Sequence, residues 1–284
     1  MKTKETIIVS FSGGRTSAYM CWWLQQNMSH LYDFIYVYAN TGLEHQKTLE
    51  FVHNVDRFLN LNLVWLEAVV SIEKGKGTRH KIVDFYSACR DGEVFEEMIK
   101  KYGLPNQTYM HCTRELKLNP IASYKASVGL KDNREAIGIR FDEFQRVKNN
   151  PRLIYPLATI GKITKQDVLK FWKKQPFDLD LPEYLGNCVG CFKKSNVKLD
   201  LIAKTEPQYF EFFIDMENKY FNVITENETT QRFIYRGYKT AKQIQDEGAD
   251  VDNDIEECPE ECGSVISEYA SQEACGNLFV EKEV

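Results

Sequence analysis

Hydrophobic and polar positions along this chain follow two alternating patterns. Continuous apolar runs of strand length lie at residues 6–11, 34–39 and 62–66, with no internal glycine or proline. Between these runs, at 18–24 and 49–59, apolar side chains recur at the spacing of one helix face. The alternation of buried strands with helices predicts an α/β fold built on a doubly wound parallel sheet.

The pattern continues less regularly through the rest of the chain. It predicts helices at 93–101 and 118–128, a strand at 134–139, and a loop with a basic cluster at 71–91. Further on it predicts a helix near 165–173, a loop that carries cysteines, and one long amphipathic helix at 198–217. We therefore divide the chain into an α/β domain (1–160), a helical and cysteine-rich extension (161–245) and an acidic tail (246–284).

Composition narrows the class of protein. The chain has 284 residues, of which 43% are apolar and 27% charged, as in ordinary globular proteins. No apolar run reaches membrane-spanning length, and the first residues lack the apolar stretch of a signal peptide. We therefore expect a cytoplasmic protein that has no membrane partner.

The net charge of −5 is unevenly distributed. Residues 246–261 hold nine acidic residues and no basic one, and residues 1–245 carry a net charge of +7. A basic body favours nucleotides or nucleic acid (tRNA or DNA) as partners, with ordinary solvated lysines as the alternative. The acidic stretch is typical of a mobile linker to a tail that contains cysteines.

A glycine turn joins the first strand to the first helix. It consists of Ser12, Gly13, Gly14, Arg15, Thr16 and Ser17. Glycines let backbone N–H groups approach an anion, and the helix start adds positive potential. The Gly-Lys-Ser/Thr of P-loop NTPases and the GxGxxG of dinucleotide-binding folds are both missing. The turn thus predicts a phosphate-type ligand, with a ligand-free β-to-α turn as the alternative.

Two more polar turns follow predicted strands. They are Asn40-Thr41-Gly42 and Gly138-Ile139-Arg140. Ligands of doubly wound sheets bind beyond the carboxyl ends of the strands. We therefore expect both turns to share a site with the glycine loop.

The chain contains eight cysteines, and two of them form a CxxC pair, Cys188 and Cys191. In a cytoplasmic protein, thiols, metal ligands or redox groups are more common than disulfides. A structural metal usually needs four ligands. Cys112 and the tail pair Cys258 and Cys262 are the candidates to complete the site.

Several segments in chain order resemble the PAPS (phosphoadenosine-phosphosulfate) reductase-like family of the PP-loop ATPase (adenine nucleotide alpha hydrolase-like) superfamily. The glycine loop resembles its SGGxxS loop, and 138–146 resembles its G-x-R-x-D/E…R segment. Residues 112–120 resemble its Cys-x-x-Arg-Lys-x-x-Pro segment, with one residue inserted before Lys117. Residues 40–51 resemble its DTG-x-E…T-x-x-F strand end, with Asn40 in place of Asp. The likeness extends from about residue 7 to 195 and includes relatives common in phages.

This resemblance implies a PP-loop (HUP-like) sheet with ATP or a sulfonucleotide over the glycine loop and the Asn40-Thr41-Gly42 turn. Arg140, Arg146, Arg114 and Lys117 would neutralise phosphate or sulfate, with Arg140 and Lys117 in catalytic roles. Surface ion pairs are the alternative for these cations. Mg²⁺ would spread the charge of a pyrophosphate leaving group.

Relatives with the Cys…CxxC pattern hold a 4Fe–4S cluster. The resemblance thus implies Cys112, Cys188 and Cys191 as cluster ligands. The fourth ligand stays open between Cys262, Cys258, His111 and none. Zinc and a plain dithiol are the alternatives to a cluster.

Three functions follow from these residues. The first is an ATP-dependent enzyme that adenylates an acceptor for transfer of sulfur or another nucleophile. The second is a PAPS or adenosine-phosphosulfate (APS) reductase that uses Cys262, because Glu261-Cys262-Gly263 is similar to the reductase tail although its histidine is missing. The third is a nucleotide-binding module without activity. The sequence leaves the oligomeric state open, a homo-oligomer included.

Overall fold

The computed structural model of the protein describes residues 4–73, 75–221 and 231–249. Its strands in these ranges are β1 (Glu5–Ser10), β2 (Tyr32–Asn40), β3 (Val64–Val69), β4 (Arg79–Val83), β5 (Glu135–Ile137) and β6 (Leu153–Ile154). They form one sheet in the order β4-β3-β2-β1-β5-β6. All neighbouring pairs are parallel except β3 and β4. The predicted α/β class is therefore confirmed, with a mostly parallel sheet.

The helices in the same ranges are α1 (Arg15–Met28), α2 (Gln46–Leu59), α3 (Glu93–Tyr102), α4 (His111–Thr113), α5 (Asn119–Ser127), α6 (Pro156–Thr159), α7 (Lys165–Trp172), α8 (Asn196–Thr205), α9 (Glu211–Tyr220) and α10 (Ala241–Ala249). A π-helical turn occupies Arg114–Leu118. Turns of 3₁₀ helix lie at Phe141–Arg146, Glu183–Leu185, Pro207–Phe210 and Arg236–Tyr238. None of these helices combines the length and the apolar character needed to cross a bilayer.

Helices cover both faces of the sheet. On one face, Ile7 and Val9 of β1 belong to the main core together with α1 and α2. On the other face, Ile8 packs with Val37 of β2 and Ile121 of α5. Successive strand residues thus enter two different apolar layers, which explains why the predicted strands are apolar without interruption.

The strand order reverses next to β1. The chain passes from β1 to β2 and β3 on one side, and later places β5 and β6 on the other side. The connections that follow β1 and β5 therefore diverge, which leaves a crevice at the carboxyl ends of these two strands. Ligands of doubly wound sheets bind at such a switch point.

Two predicted elements differ in the structure. The loop predicted at 71–91 contains β4, an edge strand whose charged sequence hid it, because charge is common on sheet edges. The long helix predicted at 198–217 is two helices, α8 and α9. Pro207 separates them, since proline disfavours a helical conformation in the preceding residue, and Glu206 has φ −143° and ψ 52°.

The helix α10 packs against α8 and α9. An added β-carbon on Gly248 would lie 2.7 Å from Ala203 Cβ of α8, so the two helices approach closely. The buried Glu217 carboxylate of α9 accepts a hydrogen bond from the Ala241 N–H, at 2.7 Å, at the start of α10. Burial raises the pKa of Glu217 to about 7. Residues 246–249, assigned above to the tail, are the last turn of this helix.

We expect Glu217→Gln to stabilise the protein at neutral and higher pH. The folded-state pKa of about 7 exceeds the usual value of 4.5, so the ionised carboxylate costs stability increasingly between these two pH values. Glutamine keeps an acceptor oxygen and does not ionise. The gain in unfolding free energy should grow across this window to about 3 kcal/mol and then level off.

Urea unfolding across this pH range measures the effect. Asp215→Asn, at an exposed position of the same helix, is the matched control and should show no such growth. A gain for Glu217→Gln that does not vary with pH would contradict the expected ionisation.

Candidate functional site

The glycine loop leaves β1 and enters the first turn of α1. The Ser17 hydroxyl accepts a hydrogen bond from the Ser12 N–H at 3.2 Å and donates one to the Gly14 carbonyl at 3.0 Å. Ser12 Oγ lies 3.0 Å from the same hydroxyl. The loop is therefore held in shape by its own side chains, which lowers the cost of ordering it around a ligand.

Gly13 and Gly14 meet different constraints. Gly13 has φ +85°, and an added β-carbon would lie 2.9 Å from Thr48 Cγ2, so a side chain does not fit there. Gly14 is the N-cap of α1 in an extended conformation, and a β-carbon on it would meet nothing within 4 Å. The space before the helix start is therefore open, where N–H groups of a first turn attract anions.

The Arg15 side chain of the glycine loop bonds to a segment after α7. Its guanidinium pairs with Asp178 at 2.7 Å and donates to the Leu179 carbonyl. The Arg15 carbonyl accepts a hydrogen bond from Trp172 Nε1 at 3.0 Å. The residue therefore ties the loop to the segment after α7, and its backbone N–H is what it can offer to a phosphate.

Arg140 follows β5 and reaches across the crevice. Its guanidinium donates to Thr16 Oγ1 at 3.0 Å, in the first turn of α1. Asp142 and Glu143 hold the same guanidinium at 3.1 and 3.5 Å, and Arg146 pairs with Glu143. The structure thus brings three predicted residues, Thr16, Arg140 and Arg146, to the rim of one crevice.

Gly138 allows this approach. An added β-carbon there would lie 3.1 Å from Ser17 Cα. The end of β5 therefore lies against the first turn of α1, and a side chain at 138 would force the two apart.

Asn40 ends β2 inside a buried polar cluster. Its amide donates to Glu67 Oε1 at 2.6 Å and to the Cys89 carbonyl at 2.9 Å. Glu67 is fully buried, accepts from the Cys89 N–H at 2.6 Å and pairs with Lys81 of β4 at 3.0 Å. Aspartate at 40 would face a second carboxylate and could not donate. This cluster explains the asparagine where the family resemblance leads one to expect aspartate.

We expect Asn40→Asp to destabilise the protein increasingly as the pH rises. Two carboxylates at hydrogen-bond distance share a proton, so one pKa of the new pair lies above its value in the unfolded chain. Stability is then lost from about pH 4 upward, and a shift of about two units corresponds to about 3 kcal/mol.

Thermal unfolding of Asn40→Asp at acidic and neutral pH measures this loss. Asn150→Asp is the matched control, because Asn150 Oδ1 accepts from the Arg152 N–H at 2.9 Å and aspartate keeps that bond. Equal stability of Asn40→Asp and the wild type at neutral pH would contradict the role assigned to Glu67.

The turn after β2 binds the CxxC loop. Glu44 and Cys188 form an isolated antiparallel bridge, and the Val189 N–H donates to the Leu43 carbonyl at 3.3 Å. Thr41 Oγ1 donates to Glu44 Oε1 at 2.7 Å and lies 3.1 Å from Cys188 Sγ. The structure thus joins Thr41, predicted at the nucleotide, to Cys188, predicted at a metal.

Gly42 lies in the same turn with φ +84°. An added β-carbon would lie 2.7 Å from Cys89 Sγ. Packing against Cys89 therefore accounts for this glycine without a ligand.

Lys117 lies on the π-helical turn Arg114–Leu118. One extra residue in a helix produces such a turn, so it accommodates the residue inserted before Lys117. Burial alone would lower the pKa of Lys117, but Cys188 and Glu44, followed by the other two predicted cysteine ligands, raise it. The Lys117 ammonium is therefore close enough to the three cysteines to interact with them electrostatically.

Cys112, Cys188 and Cys191 share this neighbourhood. Burial and the neighbouring Cys188 raise the pKa of Cys112 to about 11. Burial and Glu44 raise the pKa of Cys188 to about 12, against the effect of Lys117. Within residues 4–73, 75–221 and 231–249, no group of three or more His, Cys, Asp and Glu side chains is arranged to hold a metal ion.

The tail cysteines Cys258 and Cys262 lie outside the described residues. Their predicted roles as ligands or nucleophile stay predictions. Cys21 is fully buried in α1, where it belongs to the core, and burial raises its pKa.

A buried tyrosine of β2 lies beside the glycine loop. Tyr38 of β2 is 1% exposed, and its Cε2 atom lies 3.3 Å from the position of a β-carbon on Gly13. Burial, then Glu44 and Cys188, keep the pKa of Tyr38 well above its usual value. Its oxygen has no hydrogen-bond partner among the described residues. Buried hydroxyls normally have one, so this oxygen favours a water or a bound group beside it.

His111 and Arg114 belong to a stack beside Cys112. Burial and Arg114 lower the pKa of His111 to about 4, so its imidazole is neutral at pH 7. The imidazole stacks on Tyr102, and Arg114 lies 5.2 Å above the same ring. Arg114 also donates to Glu115 Oε1 at 2.5 Å, so a buried carboxylate already balances its charge.

The sequence reasoning missed Glu67, Tyr38 and Lys81. The sequence does contain an indication for Glu67, because this residue is a single carboxylate within the otherwise apolar strand Val64–Val69. Nothing in the sequence distinguishes Tyr38, since tyrosine is common in strands. Lys81 was assigned to a basic loop because its strand was not predicted.

These features define a class of protein: an α/β protein with a glycine loop and a cysteine loop at the carboxyl edge of a mostly parallel sheet. The chain is 37% identical over 234 residues to the "Uncharacterized nin region protein ORF290" of Escherichia phage lambda. That alignment covers 81% of this chain and 80% of the phage protein. The chain belongs to the family of this phage lambda protein.

A second relative is more distant. The chain is 26% identical over 227 residues to the "Uncharacterized protein MJ0066" of Methanocaldococcus jannaschii. The match covers 76% of this chain and 42% of that protein. No protein-family model matches the chain.

Proposed function

We propose that this chain is a cytoplasmic PP-loop enzyme that binds ATP or an adenine sulfonucleotide with its phosphates on residues 12–17. An oxygen of the acceptor attacks the α-phosphorus of ATP, and pyrophosphate leaves. Sulfur or another nucleophile then attacks the carbon that bears the adenylated oxygen, the C–O bond breaks, and AMP leaves with that oxygen. The observation that supports phosphate binding is the open space at the start of α1, opposite Arg140. The identity of the ligand as an adenine nucleotide comes from the resemblance to PAPS reductase-like proteins.

The loop residues would hold the pyrophosphate. The open space before Gly14 lets the leaving group reach the N–H groups of the first turn of α1. The Ser12 and Ser17 hydroxyls, 3.0 Å apart, would turn toward it, and Ser17 would give up its bond to the Gly14 carbonyl. The helix fixes the N–H groups of its first turn beforehand, so these donors can stabilise charge that develops on the leaving group.

Residues on the opposite side of the crevice, around Arg140, would balance the negative charge of the phosphates. Arg140 is buried and fixed by Asp142 and Glu143, so its guanidinium needs little ordering when phosphate arrives. Mg²⁺ usually binds one or two carboxylates together with phosphate oxygens. Asp142, partly exposed on this turn, is a carboxylate that fits such a role.

We propose a thiolate-bound group at the three cysteines, whose side chains are not arranged around a metal ion in the described part of the chain. The Lys117 ammonium favours the thiolate forms of Cys112 and Cys188, and the buried Tyr38 hydroxyl has no hydrogen-bond partner among the described residues. Cys112, Cys188 and Cys191 would hold the group, with the fourth position open. A 4Fe–4S cluster with an open iron would supply a site for an activating sulfide, and zinc would supply a Lewis acid. The Thr41 hydroxyl, which donates to Glu44, lies 3.1 Å from Cys188 Sγ and would contact the group on its side of that sulfur.

The test uses the full chain, purified without oxygen, with Mg²⁺ and ATP, PAPS or APS in turn. We expect pyrophosphate and AMP from ATP, with rates compared in the presence and absence of tRNA or DNA. Arg140→Gln should lower the rate by about 100-fold if its charge acts on the leaving group. Arg134→Gln is the matched control, because Arg134 pairs with Glu5 at the amino end of the sheet.

Other products would identify the alternatives. Sulfite from PAPS or APS without pyrophosphate, lost in Cys262→Ser, would favour the reductase that the Glu261-Cys262-Gly263 sequence suggests. Nucleotide binding without any product would favour a module that has no activity.

A further inference from the structure

The 3₁₀ turn after Arg140 exposes two phenylalanine rings. Phe141 is 45% and Phe144 51% exposed, and their ring centroids are 6.3 Å apart at an angle of 65°. Ile160, at the end of α6, is exposed nearby along the neighbouring turn. Adjacent exposed apolar side chains of this size often mark a binding surface.

This turn is anchored to the candidate site. Arg140, directly before Phe141, donates to Thr16 in the first turn of α1. The Phe141 N–H donates to the Ile163 carbonyl at 2.7 Å. The two rings therefore lie on a fixed rim of the crevice where we place the phosphates.

The surrounding sequence is basic although the whole chain is acidic. Residues 140–165 contain six basic and two acidic residues, and both acidic residues are ion-paired within the turn. Lys148 follows Phe144 by four residues, and Lys162 directly precedes Ile163. Lys162 is exposed with φ +50°, a conformation uncommon for residues other than glycine. Four of the six cations are ion-paired: Arg140 and Arg146 within the turn, Arg152 with Asp132, and Lys165 with Glu183. Lys148 and Lys162 form no ion pair with the described residues, so they are the cations of this stretch that could meet a partner.

We propose that Phe141 and Phe144 form a stacking platform for single-stranded nucleic acid. Unpaired bases would stack on the two rings, and the backbone phosphates would lie against Lys148 and Lys162. The inference rests on the proposed function, because it names the class of acceptor that reaches the adenylating site. An apolar protein partner would not account for the two lysines, Lys148 and Lys162, that form no ion pair with the described residues. A small anion would not account for two exposed rings.

The test measures fluorescence anisotropy of the full chain with labelled single strands of about 12 nucleotides, in DNA and RNA form, and with the matching duplexes. Single strands should bind more tightly than duplexes. Replacing both Phe141 and Phe144 by alanine should weaken single-strand binding at least about tenfold. Lys148→Ala and Lys162→Ala should each reduce the slope of log affinity against log salt by about one.

Two further variants serve as controls for the platform. Phe58→Ala removes an exposed ring from α2, outside the platform, and should change nothing. Phe144→Leu keeps an apolar side chain without the ring plane and should weaken binding. Unchanged single-strand affinity in the Phe141 and Phe144 double variant overturns the proposal. Full affinity in Phe144→Leu also overturns it, and would favour an apolar protein partner.

Nucleotide binding separates this inference from the proposed function. The double variant should bind ATP like the wild type. Loss of ATP binding in that variant with unchanged oligonucleotide affinity would assign the rings to the nucleotide and overturn the platform. If the wild type binds single strands as expected but does not bind ATP, the proposed function fails and the platform stands.

Discussion

Replacing Gly14 by valine should abolish ATP binding while the protein stays folded. A β-carbon at Gly14 meets nothing within 4 Å, and the backbone there, at φ −97° and ψ 162°, is extended. A β-branched residue adopts this conformation without strain. The valine methyl groups would instead fill the space before the first turn of α1, where we propose that the phosphates bind. Calorimetry should show ATP affinity at least about 100-fold lower, a loss of about 3 kcal/mol.

Substitutions at two other glycines serve as comparisons for Gly14→Val. Gly13→Ala should lower the free energy of unfolding, because the left-handed backbone and Thr48 both oppose a side chain. Gly77→Val is the matched control, since a β-carbon at Gly77 also meets nothing within 4 Å and that residue lies outside the loop. Wild-type ATP affinity in Gly14→Val would contradict the placement of the phosphates.

The fold could be predicted where strands are buried on both faces. Successive side chains of β1 and β2 enter two different apolar cores. Their sequences therefore contain apolar runs that few other secondary-structure elements show, which makes these strands easy to predict. β4 has one neighbour and an exposed edge, so its sequence contains His80 and Lys81 besides Arg79 and no apolar periodicity. An edge strand of that kind is set by pairing with β3 and not by its own pattern.

The sequence was sufficient to predict which backbone segments form the candidate site. It was less informative about the side-chain contacts within that site. Turns at the ends of parallel strands share one sheet edge by geometry, which is why the glycine loop and Arg140 were predicted together. The contact of Thr41 with Cys188 joins residues 147 positions apart, and no local pattern encodes it. Arg15 shows the same limit, because its partner Asp178 is 163 positions away and lies beyond α7.

The π-helical turn is an intermediate case. The sequence shows one extra residue before Lys117 relative to the family segment. This residue shows where the backbone must differ from the family but not which conformation it adopts. A loop or a π turn would each absorb it. The structure keeps the helix and widens one turn, so Lys117 stays on the same element as Cys112 and reaches the cysteine neighbourhood.

Serine at Cys112, Cys188 or Cys191 should each remove bound iron or zinc from the anaerobically purified protein. The raised pKa values of Cys112 and Cys188 mean that both thiols are protonated at pH 7 unless a cation compensates them. A metal supplies that compensation and releases the protons on binding. A serine hydroxyl does not, so each variant should hold metal at least about tenfold more weakly.

Iron, sulfide and zinc content, together with the visible absorbance spectrum, measure the loss. Cys89→Ser is the matched control, because Cys89 Sγ donates to Asp91 at 3.1 Å and a serine hydroxyl keeps that bond. Loss of metal in Cys89→Ser as well would indicate a general effect on the fold. Full metal content in one of the three variants would exclude that cysteine as a ligand. Full content in all three would leave Cys188 and Cys191 as a dithiol, because a metal that tolerates the loss of each thiol in turn is held elsewhere.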